Sequence, residues 1–424
     1  MLPAPAGRGR WSAVNGCHVL LLALLLLWSG IARASWEQIG PEGGDVRHVI
    51  QSQSDPNDLW AFSHSGPTIV LRSLDGGSSW AVAGSFDNLE HCAAVSPNGT
   101  LYAGGESAFM FSTDMGVSWT SILTGSIYWY GVAVSPDDPD IVFGTGYRSE
   151  GSTCIMCFMK STDGGSSWTC SSVGAPNSYG QAMAVSETDP SVMFISGRCT
   201  VGGVSEPAVF RSTDGGGSWT DVTPAAASAE ANSYSVAVSP VDGNLVIFGT
   251  HFNIYRSTDC GSTWTRVTDF QYYNYSIAFS PADPGTVFAG GYGSAYRSTD
   301  AGVTWSSYSS GLPAQHLYSV TPHRTDVTKV YTGTLVGFWR STSGGTSWSA
   351  ANTGLYIGSV CAVGVSPTQP SELVMQVHDT GIWLTTDDGS NWTHPATPLT
   401  CGDFCSMAFS PAGSSTILAL AGSG

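Results

Sequence analysis

Short apolar runs alternating with polar residues recur along nearly the whole chain. Tyr234-Ser-Val-Ala-Val-Ser-Pro240 reads as one period-two strand, Leu245 to Gly249 as a second, Ile254 to Ser257 as a third and the stretch after Trp264 as a fourth. Clusters of Gly, Ser, Asp and Pro separate the runs, among them Ser135 to Pro139 and Ser280 to Pro284, where the backbone is expected to turn. No long stretch carries the period of an amphipathic helix. The pattern predicts an all-β chain of short strands and tight turns, and the 52 glycines agree with it.

One phrase punctuates the strands. It is Ser73-Leu-Asp75-Gly-Gly77-Ser-Ser-Trp80, then Ser112 to Trp119, Ser161 to Trp168, Ser212 to Trp219, Ser257 to Trp264, Ser298 to Trp305, Ser341 to Trp348 and Thr385 to Trp392. The pattern Ser/Thr-x-Asp-x-Gly-x-x-Trp returns about every 40 to 50 residues, the length of one four-stranded propeller blade. Its hydroxyl and carboxylate suit hydrogen bonds to turn N–H groups, its Gly suits positive φ, and its Trp suits a sheet interior. Asp75, Asp114, Asp163, Asp214, Asp259, Asp300 and Asp387 are therefore read as turn formers, not catalysts; Ser343 takes the acid's place in the seventh phrase. With strands lettered A to D outward from a central axis, the phrase falls in the C–D turn.

The expected architecture is a single β-propeller with eight complete blades and a partial ninth. Ser35-Trp36-Glu37 reads as a D strand without a preceding box, and Phe404 to Gly424 supplies an A and a B strand without a following one. Pairing these two ends would close the ring and remove its edge strands. The C strand of that last blade is missing, so the propeller is expected to be C-terminally incomplete.

Ahead of the repeats, Arg8 and Arg10, the apolar run Val19 to Trp28 and Ala32-Arg33-Ala34 follow the order of a secretory signal peptide. Residues 1–34 are read as that signal and 35–424 as the propeller, with a secreted, extracellular or periplasmic location. The apolar run is too short for a membrane span, and no span is expected after cleavage. Cleavage would remove three of the 15 basic residues and none of the 32 acidic ones, deepening a formal charge of −17. That sign disfavours nucleic acid as a partner. Export permits disulfides, and the reading pairs Cys157 with Cys170 and Cys154 with Cys199. Cys154-x-x-Cys157 has no matching Cys or His pair at zinc-finger spacing, so neither a metal nor another cofactor is expected.

At its boxes the chain resembles the Asp-box superfamily, which includes sialidases, two-propeller xyloglucanases, sortilin-type receptors and photosystem II assembly-factor-like propellers. The opening Trp36-Glu-Gln-Ile-Gly-Pro-Glu-Gly-Gly-Asp45, with Ser54-Asp-Pro56 and the first box, looks most like the assembly-factor-like and xyloglucanase-like groups. Sialidases resemble it least: Arg72, Arg211, Arg256, Arg297, Arg340 and Lys160 each immediately precede a box and read as repeat residues, and no Arg-Ile-Pro opening is present. The resemblance implies the fold and leaves the activity open.

In a propeller the A strands begin at one rim of the central channel, and the boxes lie on the opposite face. Stepping back five residues from the Ser or Thr of each A–B turn selects Arg47, His91, Tyr130, Gln181, Tyr234, Tyr275, His316, Cys361 and Cys405. The feeding loops add Tyr128, Trp129, Tyr179, Phe270, Tyr272, Tyr273 and Tyr318. Exposed rings offer flat faces to the C–H surfaces of sugars, and flanking polar groups offer hydrogen bonds. A glycan or an extracellular protein is thus the expected partner. Glycoside hydrolysis is the alternative; it would need two carboxylates flanking one bond, with Glu42, Asp45, Glu90, Asp269 and Asp403 as the rim candidates. A protein-binding assembly scaffold is a further alternative.

Overall fold

In a computed structural model of the chain, the described residues run from Gly44 to Asn352 with short gaps at 65–66, 89, 152, 202–203, 228–229, 231 and 270–273. Beyond Asn352 they comprise mainly five strands between Val360 and Ala421. The signal segment, Ser35-Trp36-Glu37, Glu42, Phe270, Tyr272, Tyr273 and Asp403 lie outside them.

The described chain is all-β apart from one short 3-10 turn, Ala225–Ala227. Antiparallel sheets follow one another in chain order, beginning with Val46–Gln51, Leu59–Ser63, Thr68–Ser73 and Ala81–Phe86. The next two sheets share a strand: Thr120–Val134 pairs by its first half with Leu101–Ser112 and by its second half with Val142–Glu150. Four more four-stranded sheets start at Ser178, Ser233, Ser276 and Leu317. They are followed by a three-stranded sheet starting at Val360 and a two-stranded one starting at Phe404.

Each of the first seven phrases begins on the last residue of one strand and ends just before the next, as Ser73 ends Thr68–Ser73 and Trp80 precedes Ala81–Phe86. Within the turn the Ser73 hydroxyl donates to Asp75 at 2.8 Å and accepts from Gly77 N–H at 2.8 Å, while Asp75 accepts from Ser79 N–H at 2.9 Å and Ser79 Oγ at 2.7 Å. The same bonds recur at Asp114, Asp163, Asp214, Asp259 and Asp300. The hydroxyl four residues on, followed by its N–H, holds the carboxyls of Asp114, Asp214, Asp259 and Asp300 down to about 2. In the seventh phrase Ser343 Oγ accepts from Ser347 N–H at 3.0 Å, so a hydroxyl keeps the backbone contact without the charge. Thr385 Oγ1 donates to Asp387 at 2.7 Å in the eighth.

Four of the arginines ahead of the boxes join neighbouring sheets, whereas Arg72 pairs with Asp58 of its own repeat. Arg211 donates to Cys260 O, Arg256 to Ala301 O and Arg297 to Gly344 O, each reaching the turn of the following box. Arg340 of the seventh sheet repeats the contact on Gly76 O at 3.1 Å, in the first box. Three box tryptophans reach back the other way: Trp264 Nε1 donates to Val222 O, Trp348 Nε1 to Tyr308 O and Trp80 Nε1 to Ala351 O of the seventh sheet, while Trp119, Trp168 and Trp305 bond a glycine carbonyl of their own box.

The apolar cores show the same closure. The described residues contain seven clusters, each filling the space between two consecutive sheets. One of them unites Val46, Leu59 and Trp80 of the first sheet with Tyr331, Phe338 and Ala351 of the seventh. Gly77, at φ 76°, lies so close that a Cβ would stand 2.5 Å from the Phe338 ring.

Among the described residues the first sheet thus meets the seventh, where the sequence reading placed eight complete blades and a partial ninth in one ring. The Ser35-Trp36-Glu37 strand expected to pair with Phe404 to Gly424 lies outside the described residues. The strands Val360–Val365 and Phe404–Phe409 lie against each other. Equal repeats make every sheet interface locally alike, so which repeat meets the first is decided by the accumulated rotation between sheets, not by any one repeat.

Candidate functional site

A cavity of about 530 Å³ is lined by the A strands of the first seven sheets. Its wall includes Arg47, His91, Tyr130, Gln181, Tyr234, Tyr275 and Tyr318, one residue from each. The cause is local and repeated. In the A–B ladders the register slips between Val46 and His48, Glu90 and Cys92, Trp129 and Gly131, Gly180 and Ala182, Ser233 and Ser235, and Leu317 and Ser319. The skipped residue at each slip is the wall residue. A β-bulge leaves one residue out of the ladder and re-aims its side chain; here it turns a polar or aromatic group toward the axis in one sheet after another. Tyr275 directly precedes its strand, with its N–H on Gly290 O at 2.9 Å.

Sequence counting located six of these seven residues and missed Tyr318. The A–B turns are closed by Ser N–H bonds such as Ser239 to Leu245 O and Ser280 to Thr286 O, and in the seventh sheet His323 makes that bond to Lys329 O. Counting from Thr321 selected His316, two residues early; His316 lies behind the wall, stacked on Tyr318 at 5.4 Å. The bulge also recurs at Cys361 and Cys405 in the last two sheets.

Around the wall the rings form two runs. On one side His64 meets His91 at 5.5 Å, His91 stacks on Tyr130 at 4.9 Å, and Tyr147 lies between Tyr130 at 6.0 Å and Tyr128 at 4.8 Å. Tyr179 packs edge-on to Tyr147, with the Arg198 guanidinium 4.3 Å over its face. On the other side Tyr234 meets Tyr275 at 5.2 Å, Tyr275 meets Tyr318 at 5.6 Å, and Arg47 lies 3.9 Å over Tyr318. Tyr179 was expected among the loop aromatics; Tyr147 and His64 escaped the sequence reading because they stand outside the bulge register, and only their sheet partners bring them to the rim.

Trp129 was expected among the ligand-binding residues and is not placed there. It is fully buried in the core between the second and third sheets, against Phe109 and Trp168, with Nε1 donating to Thr124 Oγ1 at 2.9 Å. It adjoins the bulge residue Tyr130 in sequence, so the two side chains leave the strand toward different surroundings.

The acidic candidates divide. Asp45, largely buried, accepts from Arg47 Nε at 3.0 and 3.2 Å. Glu90 is fully buried, with Oε1 2.8 Å from His48 Nδ1. Both are thus committed to a cationic or ionisable partner of the fold. Asp269 ends the strand Thr265–Asp269, opposite Asn253. Burial, then the charge of His64, lowers His91 to about 4, and burial with Arg47 lowers His64 and His316, so near neutral pH the His91 ring is uncharged and suited to stacking. No group of three or more His, Cys, Asp or Glu able to hold a metal occurs among the described residues.

Of the cysteine candidates, Cys157 and Cys170 meet at the join of Thr153–Ser161 with Thr169–Ser172, sulfurs 2.8 Å apart. Cys199 Sγ faces Ser178 Oγ at 2.9 Å and Cys154 bonds Tyr179, so the structure does not bring this second pair together. Cys92, Cys154, Cys157, Cys170, Cys199 and Cys260 are free thiols.

The family model of the DUF6242 beta propeller domain matches residues 54–283. The chain belongs to this family. No curated protein matches it. Among solved structures, this DUF6242 propeller is similar to an ancestral GH74 enzyme, with a TM-score of 0.71 and 18% identity over 93% of this chain and 60% of that one. It is also similar to YCF48 bound to D1 peptide, with a TM-score of 0.50 and 15% identity over 72% of this chain and 93% of that one. A GH74 xyloglucanase from Xanthomonas campestris is matched with a TM-score of 0.44 and 16% identity over 86% of this chain and 62% of that one. The chain therefore spans less than two thirds of the GH74 proteins' length, and at these identities the likeness is one of fold.

Proposed function

We propose that the chain is an exported binding module that seats a glycan on the ring-lined mouth of its central cavity. One observation carries the reading: successive A strands each turn one residue, six of the seven at a bulge, into the same 530 Å³ space, four of them tyrosines, with His91, Gln181 and Arg47 between them. Tyrosine faces match the C–H faces of pyranose rings, and the intervening amide and guanidinium groups can bond hydroxyls. Asp45 is held by Arg47 and Glu90 is buried beside His48, which favours binding over hydrolysis at these two, since hydrolysis needs one carboxyl held as an acid and one as a base or nucleophile. Export rests on the charged, apolar and small-residue order of residues 1–34.

A protein segment is the second reading, favoured by the likeness of fold to a propeller whose structure holds a peptide. A glycan array with parallel sugar-release assays separates these readings. Binding without release supports the proposal, release supports a hydrolase, and silence on all sugars favours the peptide. Tyr234→Ala and Tyr275→Ala should each weaken glycan binding about tenfold, the loss of one stacking contact, with unchanged melting temperature. A fall in melting temperature with intact binding would make the rings packing residues only.

A further inference from the structure

The Cys157–Cys170 contact lies apart from the cavity wall and is used by no part of the binding reading. The outer strand Thr169–Ser172 pairs with Thr153–Ser161, with Cys170 opposite Met159 and Ser172 opposite Cys157. The two cysteines are thus diagonal neighbours across the ladder, sulfurs 2.8 Å apart, closer than two unbonded sulfurs normally rest and within reach of a bond. Their environments differ. Cys157 is fully buried beside Trp129 and Met159, whereas Cys170 is partly exposed on the outermost strand. Arg148 donates to Cys170 Sγ at 3.6 Å and is itself anchored on Glu150 at 2.8 Å.

Cys154 is excluded as the partner by the strand itself. Cys154 and Cys157 are three residues apart on one extended strand, and residues an odd number apart face opposite sides of a sheet. The Cys-x-x-Cys spacing, which suits a helix N-terminus, here separates its two sulfurs.

We propose that Cys170 and Cys157 form a thiol–disulfide couple in which Cys170 exchanges with an external disulfide and Cys157 resolves the mixed product. The Cys170 thiolate attacks one sulfur of a small disulfide such as oxidised glutathione, breaking its S–S bond and releasing one glutathione thiolate. Cys157 then loses its proton to solvent and attacks Cys170 Sγ, expelling the second glutathione. Two cysteine thiols are oxidised to one disulfide, one glutathione disulfide is reduced to two thiols, and the two cysteine protons end on the two glutathiones. Arg148 stabilises the attacking thiolate. Hydrogen bonding from Cys157, followed by Arg148, brings Cys170 down to about 7, whereas the bond to Cys170 and burial push Cys157 up. The oxidised form would tie the outer strand to the hairpin that carries Tyr147.

The test is to treat the purified full chain with oxidised glutathione and map its peptides without reduction. Wild type should yield the Cys157–Cys170 crosslink, Cys157→Ser should stop at a mixed disulfide on Cys170, and Cys170→Ser should leave Cys157 unmodified. Arg148→Gln should slow the first step about tenfold. Should Cys157→Ser fail to fold, iodoacetamide labelling of the reduced wild type decides, with Cys170 expected to react about ten times faster than Cys199 or Cys260. Free thiols after treatment, first modification at Cys157, a crosslink to another cysteine, or slow labelling of Cys170 would overturn the proposal.

Discussion

Each box aspartate holds a turn together through charge as well as shape. Asp259 accepts from Thr263 N–H at 2.8 Å and Thr263 Oγ1 at 2.6 Å, and its carboxyl is held at about 2. Because the folded values lie below the unfolded ones, the unfolded chain takes up more protons between about pH 4 and 2. The stabilisation is therefore complete above that window and is lost as pH falls through it. Asp259→Asn should lower the melting temperature at pH 7 and reduce its dependence on pH between 4 and 2, read by thermal denaturation at a series of pH values. An unchanged pH slope would mean that this turn's stability does not depend on the charge. Ser343 is the natural version of that change, keeping a 3.0 Å bond to Ser347 N–H with no carboxylate.

At the scale of the strand, one register slip separates packing from function. In Thr120–Val134 the ladder to Val142–Glu150 skips Tyr130; Trp129 before it goes into the core, and Tyr130 joins the cavity wall. Trp129→Ala should cost about 3–5 kcal/mol, the usual consequence of emptying a core aromatic site, whereas Tyr130→Ala should cost under about 1 kcal/mol, since it leaves no buried cavity. Urea denaturation of the two variants checks this, and equal costs would place both rings in the core. The same slip in sheet after sheet explains how residues far apart in the chain meet at one wall without a specific contact between every pair.

For the whole molecule, closure uses the contacts that already join its sheets. Arg297 reaches Gly344 O and Arg340 reaches Gly76 O, at 3.0 and 3.1 Å. Arg340→Ala and Arg297→Ala should therefore destabilise by similar amounts, about 1–2 kcal/mol each for a charged hydrogen bond at a partly exposed site. Matched denaturation midpoints in urea would support closure at the seventh sheet; a silent Arg340→Ala beside a costly Arg297→Ala would argue that the ring closes elsewhere. Thr321 Oγ1 on Val49 O and Arg324 N–H on Gln51 Oε1 add bonds at the same join.

The all-β character, the strand order within a repeat and the box turns were legible in the sequence, because each depends on residues within a few positions of one another: Ser73, Asp75, Gly77 and Trp80 carry their geometry locally. Six of the seven wall residues were legible for the same reason, since a bulge at fixed distance from a turn is a local feature. The count passed over Tyr318, which the loop aromatics had named, where His323 replaced the serine that marks the turn. The Cys157–Cys170 pair was legible from the hairpin register; tertiary structure alone decided that Tyr331 and Phe338 cover the first sheet, that Trp129 is core and that Tyr147 extends the rim. These depend on the angles between successive sheets and on which side chain fills each space between them, and identical repeats leave both unspecified until the ring closes.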